Sequence, residues 1–148
     1  MHIRNQIRNA IGDDLLPIPA LEGRVYMARV YPFASAALPG VNIMFDSETI
    51  SDEDRAMVAE GREIFRICVM QVVLNVMGQD SDDELDDLSA AMETALYTGD
   101  KIKCLAKDWV LASSEIETIA EGEDPVTVGR FNWQFLYANL DTNPEKAR

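Results

Sequence analysis

Few residues of this chain have the types and the spacing that enzyme chemistry requires. His2 is the single histidine of the 148 residues, and it stands at the N-terminus. A Ser/His/Asp or Cys/His nucleophile system needs a histidine held beside the nucleophile, so neither is expected. The phosphate-binding patterns GxxxxGKS/T and GxGxxG are also absent from the sequence. The sequence therefore predicts a protein that is not an enzyme and that holds no cofactor.

Two groups of residues could in principle bind a metal ion. Cys68 and Cys104 lie far apart, outside any CxxC or Cys/His spacing. Because Cys68 stands in an apolar run, we expect a buried free thiol. The acidic residues 80–87 lack the glycine and the closing glutamate of an EF-hand loop. Helix capping and a solvated helix face explain these acids better, so we predict no metal site.

Composition places the chain among soluble, acidic, single-domain proteins. Hydrophobic residues make up 47% of the sequence, and 26 acidic residues against 13 basic ones give a net charge of −13. This charge disfavours binding to a nucleic-acid backbone and favours basic partners. The polar N-terminal segment does not resemble a signal peptide, and no apolar run approaches the roughly 20 residues that span a bilayer. We expect synthesis in a reducing cytoplasm and no membrane contact.

The first half of the sequence predicts a helix followed by strands. Ile3, Ile7 and Ile11 recur at helical spacing, and Gly12 with the next two aspartates is expected to end the helix. Pro17 and Pro19 are then expected to hold an extended connection. Two strand-like runs follow in residues 24–45. Pro32 is expected to end the first, and Pro39 to stand at the start of the second.

A long acidic segment and a long apolar segment come next. Residues 46–61 predict an exposed connection, which is either a functional loop or simply a solvated one. Residues 62–77 form a β-branched run that is apolar on both faces and predicts a central strand. Such a strand is covered either on both sides by its own chain, or by helices on one side and a neighbouring subunit on the other.

The second half predicts a helix and a β-hairpin. Ser81 to Glu84 fit a capping box, and Gly99 fits a C-cap after a helix that reaches Tyr97. The buried stripe of this helix is Leu85, Leu88, Met92, Ala95 and Leu96. Residues 101–107 are ambiguous. Residues 109–119 and 126–140 predict two strands, the second with an aromatic face formed by Phe131, Trp133, Phe135 and Tyr137.

These elements predict an α+β fold. We expect a mostly antiparallel mixed sheet of about four to five strands, with two main helices packed on one face. Residues 1–140 are expected to form a single domain, and residues 141–148 a polar, frayed C-terminal tail.

This order of elements resembles the lambda-type tail terminator (U-like) family among the minor tail proteins of long-tailed bacteriophages. The likeness lies in the helix HIRNQIRNAI, the pair RVYMARVYPF and LPGVNIMF, the strand REIFRICVMQVVLNV and the helix DDELDDLSAAMETAL. It continues through the hairpin VLASSEIETIAEGEDPVTVGRFNWQFLYANL. The resemblance implies a homo-oligomeric ring, hexameric in this family, that caps the tail tube, ends its polymerisation and docks the head connector. It implies no catalytic residues.

Two other classes of protein fit the sequence. One is a neck or head–tail joining protein at the connector. The other is an acidic DNA-mimic inhibitor of a host nuclease, although the acids cluster at loops and helix starts rather than along one face.

The candidate interface residues are charged side chains of the predicted connection over residues 46–61, of Arg62 at the start of the next strand, and of the hairpin turn over residues 120–125. These are Asp46, Glu48, Asp52, Glu53, Asp54, Arg55, Glu60, Arg62, Glu121, Glu123 and Asp124. The expected partners are further copies of the chain, the tail tube protein and a head-side connector or neck protein. DNA is expected to pass through the lumen of the virion tail without specific binding, repelled by acidic residues over about 8 Å at physiological salt.

Overall fold

The computed structural model describes residues 1–28, 38–51, 57–119 and 124–148, with the backbone alone at positions 57 and 58. The helices are α1 (Ile3–Leu15), α2 (Ser81–Thr98) and the short α3 (Asp100–Lys103), and a 3₁₀ helix spans Pro19–Leu21. The strands are β1 (Val25–Met27), β2 (Gly40–Ile50), β3 (Met57–Val58), β4 (Gly61–Met77), β5 (Asp108–Ile119), β6 (Val126–Leu140) and β7 (Asn143–Ala147).

The strands form one mixed sheet in the order β1-β2-β4-β6-β5, with β3 beside β4 and β7 beside β6. The pair β1–β2 is parallel and the other pairs are antiparallel. This arrangement confirms the predicted α+β class with a mostly antiparallel sheet. The sheet has seven strands rather than four to five, because two short strands join its margins.

Helix α1 buries the isoleucine stripe that its spacing predicts, with Ile3, Ile7 and Ile11 fully buried. The predicted end at Gly12 and the next two aspartates is one residue short, since the helix continues to a fully buried Leu15. A Cβ atom on Gly12 would lie 2.1 Å from Met27 Cε, the end of a flexible side chain that is 38% exposed and can move aside. The predicted extended connection is also wrong, because Pro19 starts a 3₁₀ helix.

The predicted exposed loop over residues 46–61 is wrong for its first five residues, because β2 continues through them to Ile50, which pairs with Arg66 of β4. Residues 52–56 of that predicted loop lie outside the described residues. Strand β1, the parallel partner of β2, ends opposite Ile43. Among the described residues, the second half of β2 therefore forms an edge of the main sheet. An edge strand tolerates the polar side chains that suggested a loop. The predicted end of the first strand at Pro32 lies outside the described residues.

Strand β4 is the central strand that its β-branched run predicts, with β2 on one side and β6 on the other. Alternate residues face the helices and are buried: Cys68, Met70, Val72, Leu74 and Val76. The Cys68 thiol is free, as expected, and burial raises its pKa to about 12, with a smaller contribution from the charge of Glu48.

Helix α2 packs the predicted stripe onto β4 and β6, with Leu85, Leu88, Met92 and Leu96 buried. The predicted capping box is wrong. Ser81 lies inside the first turn, and its buried hydroxyl lies 2.7 Å from the Thr127 hydroxyl of β6 rather than capping the helix. A side chain that faces a neighbouring strand cannot also reach the free amides of its own helix end.

The C-terminal hairpin and its aromatic face are confirmed, since Phe131, Trp133, Phe135 and Tyr137 are buried. The tail is not frayed, because β7 pairs with the end of β6. The Arg148 amide donates to the Ala138 carbonyl at 2.9 Å, and Gln6 of α1 donates to the Glu145 carbonyl at 2.7 Å. These hydrogen bonds supply partners for backbone amide and carbonyl groups of the tail, which an extended segment cannot pair within itself.

Candidate assembly surfaces

One residue of the predicted interface set, Glu48, lies inside the protein. Strand β2 has a β-bulge between Phe45 and Ser47, which pair with successive residues of β4. The extra residue, Asp46, reverses the alternation of side chains along the strand. Glu48 therefore faces the helix side, opposite Cys68, and its side chain is 8% exposed. A carboxylate so placed cannot serve as a docking charge, which corrects the prediction for this residue.

Both oxygens of the Glu48 carboxylate accept hydrogen bonds, and the donors come from three elements. One oxygen accepts from Arg66 of β4 at 2.8 Å and from Arg4 of α1 at 3.5 Å, and the other accepts from the Tyr137 hydroxyl of β6 at 2.5 Å. Arg66 also donates through Nε to Asn139 Oδ1 at 2.9 Å. These contacts leave no carboxylate oxygen free for a substrate.

The pKa values in this cluster follow from burial and paired charge. Burial alone would raise the pKa of Glu48, but hydrogen bonds from Tyr137 and Arg66 and the charges of Arg66 and Arg4 hold it below its usual range. Burial, followed by the bond to Glu48, raises the pKa of Tyr137. Perturbed titrating groups often mark functional sites. Here they tie the first turn of α1 to the sheet, so we interpret the cluster as structural.

Four other predicted interface residues, Asp46, Glu60, Arg62 and Asp124, are exposed. Glu60 and Arg62 lie where β4 begins, and the Arg62 amide donates to Asp141 Oδ1 at 3.0 Å. Asp124 lies beyond the opposite end of β4, since the next residue accepts from the Gly78 amide at 3.0 Å. A strand of 17 residues is roughly 55 Å long, so these charges occupy opposite ends of the sheet.

The remaining members of the predicted set lie outside the described residues. These are Asp52, Glu53, Asp54, Arg55, Glu121 and Glu123.

The face of the sheet that points away from the core carries apolar side chains, and none of the described helices packs against it. Residues Phe65, Ile67 and Val69 of β4 alternate with the buried set, and Leu136 of β6 is paired with Ile67. Ile67 is 38% exposed, and Val110 of neighbouring β5 is 46% exposed. We call this surface the open face. Sequence periodicity indicated that β4 is apolar on both sides but could not show which side its own helices cover.

Strand β5 gives the molecule a second distinctive surface. It is 12 residues long and, within the described part of the chain, pairs only with β6. Residues 112–119 are all exposed, including Ile116 and Ile119. An edge strand of this length presents backbone donors and acceptors that another strand can pair with. We call this surface the β5 edge.

Neither a membrane span nor a metal site is found in the described part of the chain. No helix there is long and apolar enough to cross a membrane. No group of three or more His, Cys, Asp or Glu side chains within the same residues could hold a metal ion.

Comparison with known proteins finds a likeness among solved structures. No family model and no curated protein matches the chain. The chain is similar to a chain of a solved structure titled "Virion of native gene transfer agent (GTA) particle". The two share 14% identity with a TM-score of 0.38, over 91% of this chain and 92% of that chain. A likeness at this level establishes neither a family nor a function for this protein.

Proposed function

We propose that this chain is a structural protein of a phage-type virion tail. Its copies form a ring, hexameric by resemblance to the tail terminators, that caps the tail tube, ends tube polymerisation and docks the head connector. The observation that carries the proposal is the open face, an apolar sheet surface left uncovered by the chain's described helices. An exposed apolar surface of this kind is typical of a protein–protein contact.

A closed ring requires each subunit to offer two different, complementary surfaces. The open face and the β5 edge are two such surfaces, and they differ in chemistry. The first offers apolar side chains around Ile67 and Val110, and the second offers unpaired backbone groups and exposed isoleucines. An apolar contact between the exposed isoleucines of one subunit's β5 edge and the next subunit's open face would be heterologous, as ring closure demands, while the backbone groups of that edge stay in solvent or pair with another strand.

The charged ends of the sheet support contacts with two different partners. Glu60 and Arg62 lie at one end and Asp124 at the other, roughly 55 Å apart along β4. One end would meet the tube protein and the other the connector. The net charge of −13 would also keep DNA from adhering to a lumen wall.

The proposal is tested by negative-stain imaging of the purified protein with and without its tube protein. We expect six-fold rings seated on tube ends and tubes that no longer lengthen. Ile67→Asp and Val110→Asp should abolish the rings, because each places a charge within the apolar contact. Leu16→Asp changes an equally exposed apolar residue (52% exposed) at the end of α1 and should leave the rings intact.

Compact monomers that ignore tubes would contradict the proposal. Binding to a connector or portal without any effect on tube growth would instead favour the neck or head–tail joining role. Rings that form equally well from both charged variants would exclude the open face as the contact.

A further inference from the structure

A groove on the helix-covered side of the molecule lies apart from both proposed ring surfaces. It has a volume of about 370 Å³. One wall comes from the 3₁₀ helix and the start of β2, the other from α2. Its lining residues are Ile18, Pro19, Ala20, Pro39, Val76, Glu84, Asp87, Leu88 and Ala91. The floor is apolar, since Ile18, Val76 and Leu88 are buried.

The α2 wall of this groove is acidic. Glu84 and Asp87 are exposed at its rim, and neither forms an ion pair with the described residues. Asp80 and Asp83 precede them at helical spacing, and α2 contains no lysine or arginine. An apolar floor beside carboxylates that have no ion-pair partner among the described residues fits a ligand that combines an apolar group with a cation.

We propose that this groove binds a basic, apolar segment of a partner protein. A branched apolar side chain of that segment enters the groove, and a lysine or arginine close to it in sequence pairs with Glu84 and Asp87. A second copy of this chain is the alternative occupant, and the sedimentation measurement below separates it from a partner protein. The proposal does not depend on the ring function.

The test uses a short fluorescent peptide of leucine and lysine, with a leucine and glutamate peptide of equal length as control. Binding to the full chain is followed by fluorescence anisotropy. We expect the leucine and lysine peptide to bind and the leucine and glutamate peptide not to bind. The double variant Glu84→Gln, Asp87→Asn should weaken binding of the basic peptide about fivefold. The matched double variant Asp82→Asn, Asp86→Asn removes the same charge from the opposite side of α2 and should leave binding nearly unchanged.

A second pair of variants tests the apolar part of the groove without changing charge. Ala20→Trp should fill the groove from its exposed mouth and abolish binding, whereas Ala90→Trp lies on α2 outside the groove lining and should not. If the double variants at residues 84/87 and 82/86 weaken peptide binding equally, the proposal is overturned. The peptide would then be attracted by the overall negative charge of the protein and not by the groove. Binding that survives Ala20→Trp would also overturn it. A change in sedimentation caused by Ala20→Trp without peptide would show that a second copy occupies the groove instead.

Discussion

Glu48 is the residue whose replacement should tell most about how the fold is held together. It pairs with Arg66, whose side chain is 14% exposed, and with Arg4, whose side chain is 41% exposed. Glu48→Gln leaves the Arg66 charge buried without its counter-ion. We expect a loss of about 2 kcal/mol in the free energy of unfolding, less than for a fully buried pair because Arg4 reaches solvent. Urea denaturation measures this change.

The matched control lies two positions earlier in the same strand. Asp46 is exposed, so Asp46→Asn should change the free energy of unfolding by less than about 0.5 kcal/mol. Equal effects of the two substitutions would show that the Glu48 cluster does not stabilise the fold.

The pH dependence of stability should report the same carboxylate. Because the pKa of Glu48 is lower in the folded protein than its ordinary 4.5, the unfolded chain binds this proton first as the pH falls. Its contribution is therefore complete above about pH 5 and is lost as the pH falls through the folded pKa. We expect the stability difference between wild type and Glu48→Gln to shrink below about pH 4, as measured by urea denaturation across that range. A difference that grows in acid would contradict the assignment.

At the scale of elements, β7 should contribute to stability although its sequence is that of a polar tail. Strand β7 pairs with β6, and Glu145 within it pairs with the N-terminal amine. Directly after the strand, the Arg148 side chain pairs with Glu63 of β4 at 3.2 Å. Truncation after Thr142 removes these contacts and keeps the bond between Asp141 and the Arg62 amide. We expect the free energy of unfolding to fall by about 2 kcal/mol in urea denaturation.

The control for the truncation is a single change within β7. Lys146 is exposed and forms no ion pair with the described residues, so Lys146→Gln should leave stability unchanged. If the truncated protein is as stable as the full chain, the tail is frayed in solution and the strand pairing does not hold.

For the molecule as a whole, the net charge disfavours assembly of the proposed ring and the apolar open face favours it. Each copy carries −13, so neighbouring copies repel over about 8 Å at physiological salt. If contacts at the open face hold the ring, salt should screen the repulsion and strengthen assembly. We expect a larger assembled fraction in analytical ultracentrifugation as sodium chloride is raised at constant protein concentration. Dissociation on adding salt would show that opposite charges, rather than apolar contacts, join the subunits.

The candidate surfaces were less predictable than the fold. Exposed charges at Glu60, Arg62 and Asp124 follow from their polar neighbours in sequence. The inward orientation of the Glu48 side chain could not be predicted in this way. One bulged residue reverses the alternation of side chains along β2, and no local sequence pattern marks the bulge. The groove beside α2 brings together residues separated by more than 60 positions, so sequence spacing could not reveal it.

Periodicity along the chain was enough to predict the class of fold, the isoleucine stripe of α1, the apolar stripe of α2, the central strand β4 and the aromatic face of β6. Each of these depends on periodicity within one segment, which the burial of apolar side chains imposes directly. The extension of β2 through acidic residues, the strand β7 in the polar tail and the last residue of α1 became visible in the folded molecule alone. In those segments the contacts come from distant parts of the chain: Arg66 and Tyr137 for Glu48, β6 for the tail, and the hydrophobic core around Leu15 for the end of α1.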